Sequence, residues 1–223
     1  MQGGGVDRLT FLARLRAALE CAELDLGRPA SAPAKTRRAE SAADEGLVEL
    51  FTARLRASGG VVESVTSRAE AWAAFERLVG ERDWQSVACA PGVHLGRAAG
   101  PDGADAAGLR LTTEARAADF GLSEADWAVA ETGSVVVRSA PEVRRGYSLV
   151  PPAVGFFVPL GRIRATMGDV LRELPTDAGS LPSCVCFISG PSGTSDLAAV
   201  HVVGVHGPGE VFVWLVDGGE PAG

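Results

Sequence analysis

Lysine is nearly absent. Among 21 basic residues in a chain of 223, Lys35 is the single lysine and the rest are arginine. Schiff-base catalysis and a phosphate-binding P-loop each need a lysine in a structured site. Lys35 sits in APAKTRRAESAADEG, which has the composition of a linker, so both chemistries are excluded. Cysteine is sparse too: Cys21, Cys89, Cys184 and Cys186 form no CxxC pair. Iron–sulfur clusters need grouped thiolates, usually about four, so none is expected in this chain. The thiols read as small buried hydrophobes in a reducing compartment. An excess of positive charge is also missing. With a net charge of −7, the chain has no electrostatic case for nucleic acid or an anionic membrane as its main partner. Long apolar runs are lacking. VGFFVPL and VFVWLV fall far short of the roughly 20 residues that a membrane span needs. The opening MQGGGVDRLTFLARLRAALE has charges throughout and no apolar h-region, which argues against a secretory signal. Together these absences point to a cytoplasmic protein with no membrane span.

What is present is ordinary for a globular domain: 46% hydrophobic and 22% charged residues, in a length that allows one sizeable core. Leu9, Leu12, Leu15 and Leu19 recur at helical spacing, so Asp7 to about Ala22 should be an amphipathic helix. A Pro-, Ala-, Ser- and charge-rich connector follows. Three parts are expected: an N-terminal helical arm and flexible linker over 1–43, a main domain over 44–217, and a polar tail over 218–223. In the main domain, Leu47, Leu50, Phe51 and Leu55 mark a helix that stops at Ser58-Gly59-Gly60. GVVESVTS alternates as a strand, and Ser67 caps a helix carrying Trp72, Phe75 and Leu78. SVACAP and LRLTTEA read as short strands. This alternation argues for an α/β sheet covered by helices. Further on, ADWAVAETGSVVVRS predicts a hairpin turning at Glu131-Thr132-Gly133. Then come the strand VGFFVPL, a short helix from about Met167 to Leu174, the strand CVCFIS, a turn–helix–turn segment and the strand VFVWLV.

Three segments gather residues able to do chemistry: AETGS (130–134), ISGPSGTSD (188–196) and GVHGP (204–208). In the second, a strand ends in a glycine-containing loop, with a helix predicted to begin at Thr194–Asp196. Backbone N–H groups at such a junction can hold a small anion. A tight turn followed by an N-cap from Ser195 or Asp196 accounts for the same pattern. The histidines, His94, His201 and His206, lack metal-ligand spacing. His206 is open to a structural role, ligand contact or proton transfer. Glu131 is either turn chemistry or a carboxylate at a sheet rim acting as base, ligand anchor or nucleophile. No GxSxG elbow or Ser-His-Asp order accompanies these residues.

GLSEADWAVAETGSVVV, SLVPP, FISGPSGTSD and VVGVHGP together resemble the lactate-utilisation protein C family, the LUD-domain proteins, from about Leu47 to Val216. The resemblance implies a NagB/RpiA/CoA-transferase-like α/β fold. It also implies a non-redox component of a system that oxidises L-lactate to pyruvate, acting beside partner subunits that carry the iron–sulfur clusters. A small carboxylate or phosphorylated ligand is expected. By motif, the residues carried over are Glu131, Thr132 and Gly133, then Ser189, Gly190, Pro191, Ser192, Thr194 and Asp196, then His206, Gly207 and Pro208. Family members often read GPSRTADIE, where this chain has Gly193 for the arginine and Ala198 for the glutamate. Arg138, Arg144 and Arg145 are candidates to supply the missing guanidinium. An alternative is an acyl-transfer enzyme, because Glu131-Thr132-Gly133 loosely echoes the Glu-Asn-Gly turn of CoA-transferases. A formyltetrahydrofolate cyclo-ligase relative is less favoured, lacking a site lysine and a GxGxGxY stretch.

Overall fold

The structure, a computed structural model, describes residues 45–91, 93, 109–140, 145–177, 179–194, 202–204 and 206–217. The predicted arm and linker, the tail, Asp196, His94, His201, Cys21 and Arg144 lie outside the described residues.

Helix α1 (Glu45–Ala57) buries Phe51 and Leu55 and ends where predicted, with Gly59 at φ 87°. Leu50, expected on its buried face, is exposed. Strand β1 (Val61–Val65) follows, then α2 (Arg68–Arg82), where the Ser67 side chain accepts from Glu70 N–H as the predicted cap. Short strands β2 (Ser86–Cys89), β3 (Arg110–Thr112) and β4 (Phe120–Glu124) precede the hairpin of β5 (Trp127–Val129) and β6 (Ser134–Arg138). A single-turn helix α3 (Gly146–Leu149) leads into β7 (Ala153–Pro159) and the two-residue β8 (Ile163–Arg164). Helix α4 (Met167–Glu173), β9 (Val185–Ile188), β10 (Gly193–Thr194), β11 (Val202–Val203) and β12 (Glu210–Val216) complete the described chain.

A six-stranded sheet, ordered β1-β12-β7-β4-β2-β3, is parallel at every pairing. Parallel sheets are covered on both faces, so their strands read as nearly continuous apolar runs. AVGFFVP and EVFVWLV are such runs. Phe157, Phe212 and Trp214 point to one face, where α2 packs Ala71, Ala74 and Phe75 against Phe120 and Val87. Val154, Phe156, Val211, Val213 and Leu215 point to the other, against Phe51 and Leu55 of α1.

The second face carries an element that the sequence did not announce. A four-stranded mixed sheet, β8-β5-β6-β9, lays Ala128, Val135, Val137 and Ile188 on the same core as α1. Its far side holds Trp127, Val129 and Val136 against Val170 of α4. The layers are therefore α2, the parallel sheet, then α1 together with the small sheet, then α4. The α/β class is as expected, but one covering layer is β rather than helical. Among the described residues no helix is long and apolar enough to cross a membrane.

An ionic cluster ties the layers, and a hydrogen-bonded carboxylate ties two strands of the parallel sheet. Glu124, at the carboxyl end of β4, accepts both Arg68 of α2 at 2.6 Å and Arg162 at 3.0 Å, and Arg68 also lies over the Phe157 ring. Asp119, just before β4, bonds the Ser86 hydroxyl at 2.8 Å and the N–H groups of Gln85 and Ser86. Burial alone would raise the Asp119 carboxyl, but these hydrogen bonds and nearby Arg110 outweigh it and hold the group below its ordinary value. A depressed folded-state pKa contributes stability at neutral pH that is lost as pH falls, starting near the unfolded value of about 3.9. Acid titration of unfolding free energy should therefore fall less steeply below about pH 4 for Asp119→Asn than for the parent chain. Parallel acid limbs would remove Asp119 as a contributor.

Candidate functional site

The hairpin turns as the sequence predicts. Val129 pairs with Ser134, and Gly133 adopts φ 64°, a left-handed geometry that glycine takes at little cost. Strand β6 then pairs antiparallel with β9, setting Val135 opposite Ile188. That register brings the first two motifs together: Ser134 Oγ lies 2.6 Å from Ser189 Oγ and 2.6 Å from Thr132 Oγ1. Thr132, Ser134 and Ser189 thus form a short hydroxyl ladder from the buried Ser134 to the exposed Ser189. Hydroxyls donate and accept, so such a ladder can direct an O–H toward an anion at its open end.

The third motif joins from the other side. Ser192 N–H donates to Pro208 C=O and Gly204 N–H to Ser192 C=O, each at 2.8 Å. A Cβ on Gly207 would stand 3.0 Å from the Ser192 Cβ. His206 is exposed beside this contact. The Ser189 loop and the Glu131 turn are therefore adjacent, with GVHGP joined to the loop through Ser192.

Several expectations are corrected. Gly193 and Thr194 pair antiparallel with Val203 and Val202; Ser195 and Asp196, the rest of the expected helix start, lie outside the described residues. The backbone of Gly193 and Thr194 is thus engaged in strand pairing. Gly209 N–H donates to Pro152 C=O, which places this loop beside the starts of β12 and β7, at the amino edge of the parallel sheet. Ligands of open α/β sheets usually lie beyond the carboxyl edge; these motifs instead gather at the amino edge of the parallel sheet and where β5, β8 and β9 of the small sheet end. Arg138 does not replace the family's arginine. Its guanidinium holds Asp126 at 2.7 Å and 2.8 Å and covers the Trp127 ring, at the far end of β6 from Ser134.

Other motif residues have jobs in packing. Gly133 faces the backbone of Arg54 and Leu55 in α1, and Gly190 (φ 102°) faces the Ser58 carbonyl. Pro191 lies against Gly59. The C-terminal turn of α1 is thus seated between two of the motifs. Glu131 is exposed, and its Oε1 accepts from Met167 N–H at 2.6 Å, at the first turn of α4. A carboxylate there satisfies an otherwise orphaned donor and complements the helix dipole. Thr166 and Asp169 complete that end with a capping box. Bonds from the Thr166 hydroxyl and backbone, with Arg172, overcome burial and keep Asp169 below the usual carboxylate range.

Sequence reasoning missed the Arg68–Glu124–Arg162 cluster, which assembles three distant segments and leaves no local signal. A cleft of about 110 Å³ lies between β1 and α2, lined by residues including Val61, Glu63, Leu78 and Phe212, and none of the predicted site residues lines it.

Residues 48–216 match the model of the LUD domain family. Lactate utilization protein C of Halalkalibacterium halodurans is 43% identical over 104 residues, 45% of each chain. The protein of that name from Bacillus subtilis is 35% identical over 107 residues, 47% of this chain and 45% of its own. YkgG of Escherichia coli is 33% identical over 115 residues, 50% of each. The chain thus spans about half the length of the curated relatives it matches. A crystal structure of a DUF162 family protein from Deinococcus radiodurans superposes with a TM-score of 0.51, covering 77% of this chain and 97% of that one. At 20% identity this likeness concerns the fold alone.

Proposed function

This chain belongs to the LUD-domain family, and on that premise we propose that it serves lactate utilisation as a non-redox component of an L-lactate oxidation system. In this reading, iron–sulfur partner subunits carry the electrons from L-lactate to pyruvate, and this chain binds a small carboxylate or phosphorylated ligand. The names of the relatives support the process. The observation that carries the ligand reading is the meeting of the first two motifs in the Thr132–Ser134–Ser189 ladder, with the third, which holds His206 and Gly207, joined to the same loop through Ser192. Gly190 and Pro191 shape the loop, Thr194 ends it, and Asp196 belongs to the same motif in sequence. Neutral hydroxyl and backbone donors suit a small anion that must be released again, because their hydrogen bonds are weaker than charge-assisted ones. The proposed setting is cytoplasmic.

Acyl transfer through Glu131 is the second reading. Its carboxylate is engaged by Met167 N–H, which lowers its availability as a nucleophile, so the binding role is preferred. The test is complementation. A strain lacking its own copy should fail to grow on L-lactate and recover with this chain, and the purified chain should carry a small anion in native mass spectrometry and capture iron–sulfur subunits. Normal growth of the deletion strain would overturn the process; recovery with neither anion nor subunits bound would overturn the binding role.

A further inference from the structure

Strand β9 has β6 as its single pairing partner among the described residues, and its outer edge is unpaired there. Cys184 and Cys186 lie one residue apart at its start, on one face, with sulfurs 3.5 Å apart. Both are thiols and both are half-buried, accessible to a small reagent. Two extended residues separate Cα atoms by about 6.6 Å, at the upper end of the range of about 4.4–6.8 Å that a disulfide bridges. Sulfurs in contact on a strand free to pucker at one edge can therefore join, at the cost of local strain. Strained disulfides are oxidising and easily reduced again, which suits a reversible couple.

We propose that Cys184 and Cys186 are a redox-active dithiol that closes to an intrastrand disulfide by exchange with a low-molecular-weight disulfide of the glutathione type. Cys184, which precedes β9, attacks first. Cys186 packs against the core shared with α1, and burial together with the neighbouring Cys184 pushes its thiol up despite the nearby Arg145 charge, so it resolves. In the first step the deprotonated Cys184 sulfur attacks the external disulfide, whose S–S bond breaks to release one thiol and leave a mixed disulfide. In the second, Cys186 loses its proton and attacks Cys184 Sγ, expelling the second thiol. The protein pair is oxidised by two electrons and the external disulfide is reduced by two. Closure draws in the backbone of Cys186, opposite Val137, three residues before the Ser189 that bonds Ser134. The hydroxyl ladder lies directly downstream of the change.

The full-length chain, equilibrated anaerobically with graded ratios of oxidised to reduced glutathione and then trapped with an alkylating reagent, should protect Cys184 and Cys186 together while Cys89 is alkylated. Peptide mass spectrometry reads the pair. Cys186→Ser should retain glutathione on Cys184 as a stable mixed disulfide, and Cys184→Ser should not accumulate a comparable adduct on Cys186. Full alkylation of both cysteines at every ratio would overturn the proposal. So would pairing of either with Cys21 or Cys89, or independent glutathionylation of both with no closure.

Discussion

Gly133→Ala is expected to lower the unfolding free energy by about 2–5 kcal/mol. Gly133 holds φ 64°, and the left-handed region costs an L-residue roughly 1–2 kcal/mol. Its packing adds to this. An added Cβ would fall inside contact distance of Leu55 N and 2.7 Å from the Arg54 carbonyl carbon. Those atoms are helix backbone, so α1 must shift rather than a side chain rotate, and overpacking of this kind costs about 1–3 kcal/mol. The displaced helix also carries Phe51 and Leu55, both fully buried. Gly80→Ala is the control. A Cβ there meets nothing within 4 Å in α2, and alanine should stabilise the helix by about 0.5–1 kcal/mol. Urea unfolding monitored by tryptophan fluorescence should move the two midpoints in opposite directions. An unchanged midpoint for Gly133→Ala would mean that the end of α1 is not seated on the hairpin.

Glu131→Gln is expected to keep the fold and abolish growth on L-lactate. Glutamine retains an acceptor for Met167 N–H, so the contact at the start of α4 survives. The loss is the charge–dipole part, about 0.3–1 kcal/mol at an exposed helix end. Glu131→Ala removes the acceptor as well and should cost about 1 kcal/mol, the usual size of a lost cap. If the negative charge beside the ladder is needed for ligand exchange, both variants fail to restore growth while only the alanine variant is noticeably less stable. Borohydride treatment after acyl-CoA should trap no reduced thioester at Glu131 in the parent chain, because that carboxylate serves a helix. Normal growth of a folded Glu131→Gln strain would leave Glu131 as a helix cap and nothing more. A trapped thioester would restore the acyl-transfer reading.

What could be read from the residues divides along the range of the interactions. Local rules act within a few residues, so the stop of α1 at Ser58-Gly59-Gly60, the Ser67 cap and the hairpin at Glu131–Gly133 were all legible and all appear. Apolar runs located the buried strands β7 and β12 because both faces of a parallel sheet are covered. Motif spelling placed the chain in its family. Sheet membership was not legible. β5, β6, β8 and β9 look like any short strands, and whether they extend the parallel sheet or form a second one is decided by packing against α1 and α4. The same holds for Gly193 and Thr194, whose pairing with Val203 and Val202 no local pattern announced. Glu131 and Arg138 were legible as charges but not by partner, since Met167 and the Asp126–Trp127 pair reach them through tertiary contacts. By itself the sequence determined the local elements, the family and the residues worth testing. Only the tertiary structure decided which of those residues meet, because a hydrogen bond or ion pair between distant segments depends on sheet register and layer packing, which no short window of residues encodes.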